Sequence, residues 1–328
     1  MTGRVVLVVV SPRVPPGLLS WPAWQALRSG PVATADGASP QLPFLSDAGI
    51  EVAVVEPSAA LLHDRAAAGQ TVVWLTTGEA DAELVHEVGM RAVRSGVLVE
   101  QVHGSYDPPG ARLLDVVAIM DRLRSPGGCP WDAEQTHASL KPYLIEEAYE
   151  AYQALEDGEL GDLREELGDV LLQVAFHARL AQEAEDPWSI DDVAGDLVDK
   201  LVRRHPHVFA GAGADDLEGS WEALKKAEKG RASVTDGVPL SQPALALAAK
   251  LQKRAARLGA PVLSHDGLGG ELWGLVVRCR EAGLDPEVEL RAVARGFRDR
   301  LAAAEKDVRQ EGRDPGDLEA QEWAERLQ

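Results

Sequence analysis

Over the first hundred residues, short apolar runs alternate with helical stretches: VVLVVV at 5–10, IEVAVV at 50–55 and TVVWL at 71–75. Runs of this length and β-branched content predict strands, and their alternation with helices predicts a small α/β unit. The turn-rich VHGSYDPPG at 102–110 predicts its end. Beyond it the period changes. Leu113, Val116, Val117, Met120 and Leu123 follow the i, i+3, i+4, i+7, i+10 spacing of one buried helical stripe, which SPGGCP then stops. A second helix is predicted from near Ser139 to Asp157-Gly158, with Pro142 tolerated in its first turn. Asp162 with Glu165, and Ser189 with Asp192, have capping-box spacing and predict a third and a fourth helix, the last ending before Pro206. Four amphipathic helices with short connections predict a bundle. GAGADDLEG at 211–219 reads as a connector, SWEALKKAEK as a short helix, and KGRASVTDGVPLSQP at 229–243 as a second boundary before further helices. The expected organisation is a unit over 1–104, a helical domain over 105–232 and a second helical module over 233–328.

Composition narrows this picture without redrawing it. The 328 residues, 45% of them hydrophobic, can build two or three ordinary cores. A formal charge of -20 argues against a groove for a nucleic-acid polymer, which depends on clustered Lys and Arg releasing phosphate counterions. A small phosphate ligand is still possible, provided local cations or carboxylate-held metal ions oppose the field. The first apolar run is shorter than a secretory segment and nothing later is long enough for a bilayer span, so no membrane partner is expected. Two isolated cysteines, Cys129 and Cys279, predict reduced thiols in the cytoplasm. The first hundred residues contain neither GxxxxGK[ST] nor a GxGxxG opening a helix, so no nucleotide chemistry is assigned to them.

The second and third helices carry the chemistry. On a wheel of about 100° per residue, Leu144, Ala148, Ala151 and Leu155 make one stripe, with Glu147, Glu150 and Glu146 along one flank. Leu163, Leu167, Val170, Leu171 and Val174 make the next stripe, with Glu166 and Asp169 on the same flank. A solvated helix face also carries acids. Here both sets lie on the same side of their stripes and lack the i+4 Lys or Arg partners of a salt-bridged face. Packed antiparallel, such helices would bring unpaired carboxylates together, each raising the other's pKa unless a divalent cation intervenes. An all-oxygen donor set without His or thiolate suits Mg2+ or Mn2+. A di-iron site would want Glu-x-x-His on facing helices; Glu83-x-x-His86 and Glu134-x-x-His137 lie outside the acidic helices, and His177 reads as a helix-face histidine. Lys200 with Arg204, and Trp221 with Lys225, are i, i+4 pairs that read either as surface charge beside a packed Trp or as phosphate clamps. Trp131 of the CPWD loop is either a core residue or a ring that stacks on a base.

GCPWDAEQTHASLKPYLIEEAYEAYQALEDGELGDLREELGDVLLQVAFHA, followed by DKLVRRHPHVF and SWEALKKAEK, resembles the MazG family of nucleoside triphosphate pyrophosphohydrolases over about residues 113–243. The family's EExxE matches Glu146, Glu147 and Glu150, and its ExxD matches Glu166 and Asp169. The resemblance implies a mainly α protein: an all-α bundle with a four-helix core, working as a homodimer, that converts an NTP or dNTP to the monophosphate and pyrophosphate with Mg2+. It implies that Glu147, Glu150, Glu166 and Asp169 hold the metal and that Glu146 orients water or braces its neighbour. Lys200, Arg204 and Lys225 would contact the triphosphate, with Trp221, Trp131 and Asp132 near the nucleoside. The expected role is removal of noncanonical or damaged nucleotides; the alternative is a regulatory protein that binds metal and nucleotide without turnover.

The third module departs from this pattern. DGLGGELWGLVVRCREAG aligns on EELGDVLLQVAFHARLAQ with an offset of 101 and puts Gly267 and Gly270 where Glu166 and Asp169 stand. Gly237 to His265 holds no acidic residue. A degenerate, shortened copy without metal ligands is expected there, and no role is assigned to residues 1–104.

Overall fold

The computed structural model describes residues 3–76, 81–210 and 233–327. They fall into two compact units, the first ending at Lys200 and the second beginning at Leu201.

The first unit opens with a five-stranded parallel sheet in the order β3-β2-β4-β1-β5, formed by β1 (Arg4–Val9), β2 (Val32–Thr34), β3 (Val52–Val54), β4 (Thr71–Thr76) and β5 (Leu98–His103). Helices α1 (Trp21–Leu27), α2 (Leu42–Asp47), α3 (Ala59–Ala67) and α4 (Ala82–Ser95) alternate with the strands. The continuous apolar run of β1 follows from burial on both faces. Val6 and Val8 pack with Ala23, Leu27 and Leu45 on one side, whereas Val5 and Leu7 pack with Leu62, Ala66, Leu84 and Val88 on the other. Trp74 at the centre of β4 is fully buried and its indole N–H donates to Asp81 at 3.1 Å. Strand β5 runs to His103, into the first two residues of the turn-rich segment at 102–110. This strand lies at the sheet edge and mixes polar with apolar positions, which hides it from a search for apolar runs.

Arg13, just beyond β1, joins the sheet to the helices. Its buried guanidinium donates to both oxygens of Asp115, at 2.6 to 2.9 Å, and to Asp107 at 2.7 Å. Those bonds hold the Asp115 carboxyl below the ordinary range. Asp115 sits in the first turn of α5 (Arg112–Arg124), where a negative charge also favours the helix dipole.

After α5 come the short α6 (Pro130–Glu134), then α7 (Lys141–Asp157), α8 (Leu160–Ala181) and α9 (Ile190–Arg204). Two expected starts shift. Ser139 lies in the turn before α7, where its hydroxyl bonds Gln135 and the Thr136 carbonyl. Asp162 lies within the first turn of α8 and does not cap it, because α7 ends at Gly158 in the left-handed region (φ +76) and the chain re-enters helix after Glu159 alone. Ser189 and Asp192 do pair at the start of α9, with the Ser189 N–H donating to the carboxylate at 2.7 Å.

Met120 of α5 packs with Leu140, Ala175, Phe176 and Leu180 at the far end of α8. Near the acids the expected stripes are only partly buried within one chain: Ala151 is 7% exposed, whereas Leu144 is 37% exposed, Leu155 61% and Leu167 54%. Helix α9 buries none of its residues, and among the described residues α5, α7 and α8 form the packed helical layer. No helix among the described residues is long and apolar enough to cross a membrane.

The second unit is helical: α10 (Pro206–Phe209), α11 (Ala244–Ala256), α12 (Gly267–Glu281), α13 (Pro286–Gln310) and α14 (Ala320–Arg326). Gln252 is fully buried; its side-chain amide donates to the Trp273 carbonyl at 3.1 Å and its main-chain carbonyl accepts from Arg280 at 2.8 Å, tying α11 to α12.

Candidate active site

Gly158 sets the register of the α7–α8 hairpin. Glu150 and Glu166 each stand eight residues from it, and Glu147 and Asp169 each stand eleven. In an antiparallel pair, equal distances from the turn place residues at the same height, so the two acidic flanks meet in two tiers. Carboxylate oxygens of Glu147, Glu150 and Glu166 lie within 4.8 Å of one another. Asp169 is outside that group of three but close enough to be the leading charged neighbour of Glu147. Burial first, then Asp169 and a hydrogen bond to Glu150, push the Glu147 carboxyl above its ordinary value. Burial and then Glu150 do the same to Glu166. Glu146 adds to the negative field on Glu147 from the exposed side of α7.

Around this cluster the sequence-selected residues divide. Trp131 packs edge-on against Tyr143 of α7, with ring centroids 6.0 Å apart, and is half exposed. Asp132 is placed through its backbone carbonyl, which accepts from Arg124. Lys200 and Arg204 stand one turn apart at the end of α9, both half-buried. Trp221 and Lys225 lie outside the described residues. His177 stacks on His137 at 5.1 Å with nearly parallel rings, and their Nδ1 atoms are 2.8 Å apart, so one ring donates and the other accepts. Burial, then His137, hold the His177 imidazole below its ordinary value. Glu83 and His86 line a separate groove with His63 on the α/β unit. They form no three-residue ligand group among those described.

Sequence reasoning passed over two residues here. Arg124 fixes the loop that carries Trp131, and only the fold shows its partners. Gln173 is 4% exposed within LLQVAF, and a polar residue inside an apolar run was the available signal.

The aligned segment of the second unit is also a helix, α12, but it has no room for such a cluster. Gly267 has φ +78, and a Cβ on Gly270 would lie 1.8 Å from the His265 carbonyl oxygen. Restoring the acids with Gly267→Glu and Gly270→Asp is therefore expected to lower the melting temperature and to create no cation-binding site, as read by calorimetric unfolding and by Mn2+ titration.

Among the described residues, Glu147, Glu150 and Glu166 on the helical hairpin form a group that could hold a metal ion. Residues 135–209 match the MazG nucleotide pyrophosphohydrolase domain. The chain is 54% identical over 215 residues to an uncharacterized 26.1 kDa protein in the blaB 3' region of Streptomyces cacaoi, covering 63% of this chain and 88% of the relative. It is 37% identical over 230 residues to the nucleoside triphosphate pyrophosphohydrolase/pyrophosphatase MazG of Thermotoga maritima, covering 62% and 89%. The nucleoside triphosphate pyrophosphohydrolase of Mycobacterium tuberculosis is 48% identical over 203 residues, and this chain spans 60% of its length. A crystal structure of a mazG-related protein from Thermotoga maritima aligns with TM-score 0.30 at 27% identity, over 35% of this chain and 97% of that one. The chain belongs to the MazG family.

Proposed function

We propose that this protein hydrolyses nucleoside or deoxynucleoside triphosphates to the monophosphate and pyrophosphate, with Mg2+ or, in its place, Mn2+. The carrying observation is the convergence of carboxylate oxygens of Glu147, Glu150 and Glu166 within 4.8 Å of one another. These hard oxygen donors, with Asp169, fit a cation that takes oxygen ligands. When bound, Mg2+ would neutralise charge on the phosphate oxygens of the scissile anhydride. Glu146 accepts a proton from the attacking water or braces Glu147. Lys200 and Arg204, with Lys225, bind the triphosphate, while Trp131, Asp132 and Trp221 border the nucleoside. The exposed apolar stripes of α7 and α8 support a homodimer that covers them. The setting proposed is the cytoplasm, where Cys129 and Cys279, both free, stay reduced, and the role is clearance of noncanonical or damaged triphosphates. The second unit, with glycines at 267 and 270 and no space for a side chain at Gly270, serves as a structural module.

The test is a panel of canonical and modified triphosphates with product identification. Pyrophosphate release that chelator abolishes supports the reading; orthophosphate release, or binding without turnover, overturns it.

The raised Glu147 and Glu166 carboxyls fix the sign of the pH dependence. A group whose folded pKa is raised binds more protons folded than unfolded, so its stabilising effect is present at low pH and fades as pH rises through the folded value. Cation binding needs the deprotonated groups and reverses the trend. The Mg2+- or Mn2+-induced rise in melting temperature is expected to grow from about pH 5 to about pH 7.5, with proton release on binding measured by titration calorimetry in two buffers. A shift independent of pH would remove these two residues from the site.

A further inference from the structure

The contact between His137 and His177 has a consequence for proton uptake. The ring planes lie within 4° of parallel and the two Nδ1 atoms are 2.8 Å apart. One proton between two nitrogens makes such a contact. In the neutral pair one ring carries its proton on Nδ1 and donates, while the other keeps Nδ1 bare and accepts. A first added proton goes to Nε2 of the donor ring, leaves the contact intact and makes it charge-assisted. A second has only the accepting Nδ1 to occupy. Two N–H groups then point at each other, two imidazolium charges repel, and the contact is lost.

What the contact holds follows from the chain on either side. His137 lies in the turn between α6 and α7, which closes on itself: the Thr136 N–H donates to the Ser139 hydroxyl at 2.9 Å, and the Ser139 N–H donates to the Thr136 hydroxyl at 3.1 Å. Arg124 ties the same segment to α5 through the carbonyls of Asp132 and Gln135. His137 ties it to α8. It also meets Trp188, in the connection from α8 to α9, with the rings 20° from parallel and their centroids 6.4 Å apart. One imidazole thus joins the turn before α7, the body of α8 and the approach to α9.

Neither ring makes a further hydrogen bond or ion pair among the described residues, so no carboxylate offsets a second charge. Glu134 and Lys141 flank His137 in sequence and Asp186 lies two residues before Trp188, but none of them acts on His177. Burial comes first there and His137 second, and both oppose protonation.

We propose that His137 and His177 form an acid-sensitive latch, which holds the turn before α7 on α8 while the pair carries at most one extra proton and opens when it takes the second. Opening frees the segment that leads from Trp131 to α7. No triphosphate or metal takes part, so the latch stands or falls apart from the hydrolase reading. The closed latch refuses a proton that the unfolded chain accepts near about pH 6.5. Its stabilising effect is therefore complete above that value and is lost as pH falls through the lower folded one.

The test follows backbone amide exchange in the unchanged full chain and in His177→Gln, without divalent cations, from about pH 7.5 to about pH 5. Glutamine keeps a donor and an acceptor for His137 and takes no charge. In the unchanged protein the opening of residues 135–140, corrected for intrinsic exchange, is expected to rise about 10-fold per pH unit below about pH 6.5, because opening takes up one proton. In His177→Gln that rise is expected to be absent. An equal rise in both proteins, or none in either, would overturn the latch. Should His177→Gln lose its far-UV circular dichroism, His137→Gln, at an exposed position, is read in the same way. NMR of isotope-labelled histidines in the unchanged protein gives an independent reading. The two rings are expected to titrate in two linked steps, and independent single-step titration of both would overturn the proposal.

Discussion

Glu147→Gln is expected to abolish Mg2+-dependent pyrophosphate release, with a loss on the order of 10³-fold or more in kcat/KM, while far-UV circular dichroism keeps its helical signal. The amide keeps the shape and volume of the side chain, so α7 has no reason to melt. What it removes is one negative charge from the tightest part of the cluster, where Glu147 lies within reach of Glu150 and Glu166 and is pressed by Asp169. Asp169→Asn is expected to act alike, since it faces Glu147 across the hairpin. In the absence of divalent cations both variants should melt at or above the temperature of the unchanged protein, because repulsion within the cluster is relieved. Full activity in either variant would remove these residues from the site.

The largest expected effect on stability belongs to Arg124. Its side chain is 7% exposed, meets both oxygens of Glu183 at 2.9 Å, donates to the carbonyls of Asp132 and Gln135, and lies 5.9 Å from the centroid of the Phe176 ring. Arg124→Met retains much of the packing on Phe176 and deletes every one of those bonds. Removing one partner of a buried pair typically costs about 3 to 5 kcal/mol. Glu183 is 44% exposed and keeps Arg179 at 2.9 Å, so water and the second arginine soften the loss to about 2 to 3 kcal/mol. Urea unfolding followed by a helix-sensitive signal reads this as an earlier first transition, and amide exchange at residues 129–136 should accelerate with it. A shift below about 0.5 kcal/mol would show that α5 holds the loop by packing alone.

The acidic hairpin was legible in the sequence because a helix has a fixed period. Once LIEEAYEAYQAL and REELGDVLL are read at 3.6 residues per turn, the flank that carries each carboxylate follows from spacing alone. The turn was legible too, since Asp157-Gly158 matches the left-handed closure found there. Burial was not. Leu144, Leu155 and Leu167 read as a seam and are largely exposed in the single chain, because period shows which residues share a face but not what covers it. The edge strand β5 escaped for a related reason: it has one neighbouring strand and little apolar cover, so its composition carries no strand signal.

The sequence by itself determined the acidic faces, the donor chemistry and the glycines at 267 and 270, all of which depend on residue identity and local period. Only the tertiary structure decided that the hairpin closing at Gly158 brings Glu150 close to Glu166. It alone decided that Arg13 fastens the sheet to Asp115, and that the His265 carbonyl fills the space an acid at 270 would need. These are contacts between groups distant in sequence or held by a particular backbone path. Their energies depend on distance and desolvation, which are set only when the chain has folded.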